Sequence, residues 1–244
     1  MLRRVVIGVS ACVLVAVVVG ALAIQRFVFG GTPIVHRPSL PAASITATPC
    51  ATLALSAGER GFALESQRST AGYEAHFLAA GASVPGSVDG VTGFVTGGFI
   101  VSPNPNPVIR SLLIRVDLRT LDSGSADRDD HVRNDSFQVS KYPFATFVAD
   151  QSPVVEGSYV EGQNATFFLR GALTLHGVTR PVTFAMNATL QGETLTGSGT
   201  AHVHTTDFGM KQPQITSVVH VTIADDIALS ITFVAHSTTC ALPQ

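Results

Sequence analysis

Residues 165–190 read ATFFLRGALTLHGVTRPVTFAMNATL, two alternating runs on either side of the short connection His176-Gly177. Val182, Phe184 and Met186 fall on one face, and Thr183, Ala185 and Asn187 on the other, which is the period of a strand. A connection this short joins antiparallel neighbours. The same pattern continues downstream through residues 195–206, 215–223 and 227–235. In the last of these, Ile227, Leu229, Ile231 and Phe233 oppose Ala228, Ser230, Thr232 and Val234. Upstream, Leu112, Ile114, Val116 and Leu118 alternate with Leu113, Arg115, Asp117 and Arg119. Residues 62–64 and 73–77 are shorter strand candidates, and the glycine-rich stretch 90–100, GVTGFVTGGFI, reads as one bent strand. The SPNPNP segment at 102–107 joins no sheet, because proline lacks the ladder donor. No long 3.6-residue stripe occurs, and one short helix fits between residues 127 and 137. About eight strands, each with one oily face and short turns, predict an all-β antiparallel barrel or sandwich.

Composition narrows the function. The chain has 244 residues, a net charge of −2 and only 13% charged residues, with no basic run beyond Arg3-Arg4. Nucleic-acid binding leaves a basic footprint, so that class is not expected. The three cysteines form no CxxC or Cys/His spacing, and no metal or other cofactor is expected. Residues 5–24 are unbroken apolar sequence flanked by Arg3-Arg4 and Arg26, long enough to cross a bilayer. Residues 1–29 therefore read as an N-terminal transmembrane anchor or a signal segment. The positive-inside rule then places the rest of the chain outside the cytoplasmic membrane, or secreted if the segment is cleaved. Residues 30–58 are a Pro/Ala/Thr-rich linker, and 59–240 form the β domain.

The densest group of ionisable side chains is Arg128, Asp129, Asp130, His131, Arg133 and Asp135. Two readings apply: acid/base or ligand groups in a cleft, or a self-neutralising cap on the end of a β-structure. No GxSxG, HExxH or phosphate-binding glycine loop is present. His202 and His204 share a strand face with Asp207 nearby, a donor set that can hold a metal; the alternative is two histidines on a solvated face.

Several stretches together resemble the YceI-like family. The run 171–182, GALTLHGVTRPV, is similar to its G-x-LT-hydrophobic-x-GVT-[RK]-PV hairpin. Arg128-Asp129-Asp130-His131-Val132, then Phe137, Tyr142-Pro143 and Thr146-Phe147, resembles its RD-x-HL…F…YP-x-x-x-F segment, with Val132 in place of leucine. Thr206-Asp207-Phe208-Gly209 is similar to its R-x-DFG signature, with Thr205 where the basic residue stands. Residues 91–99 fit its early glycine-containing strand.

The resemblance implies an extended, lipocalin-like antiparallel β-barrel enclosing an apolar tunnel. It also implies a binding protein rather than an enzyme, with a polyisoprenoid, isoprenoid quinone or similar long-chain amphiphile as partner. With the strand faces as read, Leu112, Ile114, Val116, Phe184, Ile227, Leu229, Ile231 and Phe233 converge on the tunnel. Arg128, Arg133 or Arg180 would meet a polar head group at a mouth. The other classes consistent with the sequence are a metal-assisted or acid/base enzyme on this scaffold, and a filled barrel acting as an interaction domain. The oligomeric state is left open, a homodimer included. Finally, Cys50 precedes the first strand and Cys240 follows the last, and barrel closure brings those ends together. A Cys50–Cys240 disulfide is therefore expected outside the cytoplasm.

Overall fold

The computed structural model describes residues 53–79, 83–102, 107–149, 152–153, 160–211, 214–215 and 221–240. The apolar run, most of the linker and Cys50 lie outside the described residues. No helix among the described residues is long and apolar enough to cross a membrane.

The described residues form twelve strands and one short α-helix, with a few single-turn helical segments between them. In order these are β1 (Arg60–Leu64), β2 (Thr70–Ala79), β3 (Gly86–Thr92), β4 (Val95–Ser102) and β5 (Val108–Asp117), then α1 (Ala126–His131). There follow β6 (Phe144–Ala149), β7 (Ser152–Pro153), β8 (Asn164–Leu175), β9 (Val178–Gln191), β10 (Thr194–His204), β11 (Gln214–Ile215) and β12 (Val221–Thr238). Every pairing is antiparallel. Neighbours run β1-β4-β5-β6-β8-β9-β10-β12, and β12 pairs back onto β1, closing an eight-stranded barrel. The hairpin β2–β3 continues the wall, with β2 against the first part of β12.

Residues 165–190 lie in β8 and β9, with Leu175 facing Val178 across His176-Gly177. Both turn residues have positive φ, 51° and 75°, the conformation that matches the twist of a tight hairpin. Glycine suits the second position, where a Cβ would also run into the Tyr142 ring.

Two places differ from the pattern read along the sequence. Residues 90–100 are not one strand: β3 ends at Thr92, β4 starts at Val95, and the two pair with different partners. Thr92 holds the break, since its buried Oγ1 accepts from Phe94 N at 3.0 Å and meets Thr120 Oγ1 at 2.6 Å. The adjacent strands break in step, between β1, which pairs β4, and β2, which pairs β3. There the fully buried Ser69 hydroxyl donates to Glu65 O at 2.9 Å and accepts from Val234 N at 3.3 Å, replacing a ladder bond. The second difference is β12, a single 18-residue strand where the sequence suggested two. Asp225 and Asp226 sit in an irregularity between Ile223 and Ile227 rather than in a turn. Such a bulge bends the strand without ending it.

The single core lies inside the barrel. Phe62, Val95, Phe208 and Ala235 are at most 1% exposed.

An apolar lumen as the candidate functional site

A cavity of about 130 Å³ runs through the barrel interior. A single water needs about 10–15 Å³ on the same measure, so the space is many times a solvent site and suits a chain. Its walls come from β5 (Ile109, Leu112, Ile114, Val116), β6 (Ala145, Phe147), β8 (Phe167, Leu169, Leu173, Leu175), β9 (Phe184, Met186, Ala188) and β12 (Leu229, Ile231, Phe233), among others. On the inward face of β10, Gly197 and Gly199 make room for larger neighbours, since a Cβ there would meet the Phe233 ring or the Met186 sulfur. Phe147 and Phe184 meet edge to face at 5.1 Å, and Phe99 meets Phe233 at 6.4 Å, the geometries that aromatic quadrupoles favour.

Of the residues read from the strand faces, Leu112, Ile114, Val116, Phe184, Leu229, Ile231 and Phe233 all line the cavity. Ile227 faces inward too, but it is 4% exposed and lies outside the lining. It sits beside Ala75 and Val203, at the level where the turn Thr205–Phe208 brings Phe208 into the core. Alternation finds the inward face but not how far along the axis the void extends. Tyr73, Leu118, Leu121 and Phe137 also line the cavity, beyond the set that the strand faces supplied. Tyr73 was within reach as part of a short strand candidate; Leu121 and Phe137 stand in a polar segment with no periodic signal.

That polar segment closes one end of the barrel. Asp122 bridges to Val91 of β3, which fastens the segment to the wall. Asp129, 7% exposed, accepts from the Ser123 backbone N–H at 2.9 Å and from the Ser123 hydroxyl. Arg128, also 7% exposed, donates from Nε to Ser123 Oγ at 2.8 Å and from Nη2 to Ser123 O at 2.6 Å. Arg133 donates to Leu121 O at 3.2 Å and Asp130 Oδ1 at 3.1 Å. The side chains of Leu118, Leu121 and Phe137 complete the lumen wall beneath this polar layer. The cluster is therefore an interlocked cap whose buried groups have partners. His131 stands apart, exposed and paired with Asp135 at 2.8 Å. Arg180 is exposed close to the β8–β9 turn, opposite Leu173 in the ladder, and donates to Thr179 O at 3.3 Å.

The histidines on β10 face outward. His202 pairs with Asp226 at 3.1 Å and His204 with Asp225 at 3.8 Å. Asp225 accepts from the Thr205 and Thr206 hydroxyls, both at 2.6 Å, and from Thr206 N at 2.9 Å. Partial desolvation acts to raise its pKa, but these bonds and His204 outweigh it and hold the carboxyl down at about 2. Among the described residues no group of three or more His, Cys, Asp or Glu side chains is placed to hold a metal.

A closed antiparallel barrel around an apolar, chain-sized void defines the lipocalin-like class of small-molecule containers. Within that class the chain belongs to the YceI-like domain family, whose profile matches residues 62–235. A UPF0312 protein of Vibrio cholerae is 33% identical over 122 residues, covering 47% of this chain and 60% of the relative. A Pseudomonas putida UPF0312 protein is 39% identical over 113 residues, covering 43% and 55%. The chain thus spans about three-fifths of the length of such relatives, 60% in the first case. Among solved structures, a polyisoprenoid-binding domain from Saccharophagus degradans, implicated in plant cell wall breakdown, superimposes with a TM-score of 0.52 at 13% identity, over 72% of this chain and 98% of that one. Burkholderia cenocepacia BcnA gives 0.50 at 21% identity, over 70% and 98%. At such identities these two likenesses speak to the fold.

Proposed function

We propose that the barrel holds a linear isoprenoid, or an amphiphile with an isoprenoid tail, along its lumen. The observation that carries this is the lining: a void of about 130 Å³ walled almost wholly by aliphatic and aromatic side chains. Such a surface gains by covering apolar groups, at roughly 0.8 kcal/mol per buried CH₂. It offers no ionised group to a reacting atom, which favours binding over chemistry. The family membership and the polyisoprenoid-binding structural neighbour support the same reading. We further propose that residues 5–24 hold the domain on the outer side of the cytoplasmic membrane, where such lipids reside.

A chain-length series tests the ligand class. Affinity for polyprenols should climb with each added isoprene unit and then level off once the lumen is full. Affinity that is flat across the series would contradict a tunnel that reads chain length.

A further inference from the structure

The barrel wall has a seam between β9 and β10. Their ladder runs from the pair Thr194 and Gln191 to the pair Thr200 and Ala185 and stops there, although both strands continue. Beyond that point residues 178–184 pair with β8 alone, and residues 201–204 with β12 alone. The lips are buried on the inside, at Val182 and Phe184 of β9 and Ala201 and Val203 of β10. On the outside they are exposed, at Thr183, His202 and His204. Phe184 also lines the cavity, so the inner edge of the seam is the lumen wall itself. The turn Thr205–Phe208 touches β9, β10 and β12 across the wide end of the seam, where Phe208 is 1% exposed. This turn is fastened unequally. On the β12 side, Asp225 accepts from both threonine hydroxyls and from Thr206 N. On the β9 side, His176 Nδ1 donates to Phe208 O at 3.2 Å, and Gly209 approaches Val178. With Nδ1 as the donor, His176 Nε2 is an acceptor, and it lies buried without a hydrogen-bond partner.

We propose that this seam is the gate through which the ligand enters and leaves the lumen, with the turn Thr205–Phe208 as its flap and the Phe208 ring as its plug. This rests on the lumen being the isoprenoid site proposed above. Parting the lips breaks no ladder bond between β9 and β10, whereas an opening between strands paired along their length strips several backbone groups of their partners. The flap stays with β12 through Asp225, so the His176 hydrogen bond and apolar contact hold it shut on the other side. Opening brings water to His176 Nε2, which closure leaves unmet, and this lowers the cost of the open state. The cap has no such one-sided join. It is held by a buried network around Ser123 and bridged to β3 at Val91. A linear chain needs only a slot in the wall, not the removal of a barrel end.

The test follows tritiated geranylgeraniol on the full-length protein, reading uptake from phosphatidylcholine vesicles and release back into them. Two variants move the gate in opposite directions. His176→Asn removes the hydrogen bond to Phe208 O, and asparagine tolerates the positive φ of this turn. Uptake and release should both quicken by roughly two- to tenfold, the worth of one neutral hydrogen bond. Affinity should stay the same, because His176 is not part of the lumen wall. The pair Val178→Cys and Gly209→Cys, oxidised after loading, ties the flap to β9, since a Cβ on Gly209 would stand 4.0 Å from the Val178 side chain. The tied protein should retain the probe and let it go on reduction, with wild type given the same reductant as the control for Cys50 and Cys240. Release from the tied protein at the wild-type rate overturns the gate and leaves the lumen reading standing. So does a His176→Asn protein whose affinity falls while its uptake rate is unchanged, which marks a role in packing. Failure of the wild type to take up the probe removes the lumen reading and the gate with it.

Discussion

Replacing Leu229 with tryptophan should block the lumen and leave the barrel folded. Leu229 faces inward from β12, paired with Tyr73 on β2 and Ala201 on β10. One inward step along, Ile231 pairs with Ala71, a small side chain that also lines the cavity and leaves room for an indole. Tryptophan adds about six non-hydrogen atoms over leucine and displaces a similar number of ligand carbons, a ceiling of about 5 kcal/mol at 0.8 per CH₂. A chain that slides along the tunnel recovers about half, leaving a loss of roughly 2–3 kcal/mol, or roughly 30- to 150-fold in affinity. Strain from overpacking is limited to about 1–3 kcal/mol, because the indole enters a void rather than a filled core. The wild-type chain contains no tryptophan, so the new indole is the sole emitter of its kind. Blue-shifted emission and an unchanged circular dichroism spectrum would show it seated inside a folded barrel. Unchanged lipid affinity in that same protein would refute the assignment of the lumen as the binding site.

Asp129→Ala should lower stability by about 1–3 kcal/mol in chemical denaturation, because it strips the acceptor from a buried Ser123. His131→Ala should change it by less than about 1 kcal/mol, since its pair with Asp135 is exposed; equal effects would contradict the cap as described. Asp225, depressed in the folded state, stabilises above its unfolded pKa of about 4, and that contribution is lost as pH falls through about 2. The Tm gap between wild type and Asp225→Asn should accordingly narrow from pH 5 to pH 2, and a constant gap would count against it. We also predict a Cys50–Cys240 disulfide, since Leu53 N donates to Thr239 O at 2.8 Å and sets the two chain ends side by side. Closing so long a loop contributes about 5 kcal/mol in the chain-entropy account. Mass spectrometry of unreduced, exported protein should show the linked peptides, and two free thiols would disprove it.

The faces of the strands were legible in the sequence because a pleat has a period of two and the barrel has one oily side. Leu112, Ile114 and Val116, or Leu229, Ile231 and Phe233, point inward for that reason alone. Depth along the axis was not legible, which is why Ile227 shares their face but not the cavity. The bulge at Asp225-Asp226 reads as a break, because two adjacent carboxylates usually mark a turn. Here Thr205 and Thr206 give Asp225 its partners from outside the strand. The cap was half legible. Its charges announce a self-compensating cluster, but Ser123, which joins Arg128 to Asp129, is one serine among many in the chain.

The central claim is that the lumen carries a long-chain lipid, and the direct measurement is native mass spectrometry of the purified full-length protein, followed by organic extraction. Wild-type protein should appear with an added mass that recurs in the extract as a prenylated compound, and Leu229→Trp should appear without it. A wild type that flies bare, and stays bare after incubation with prenylated quinones and polyprenols, would contradict the account.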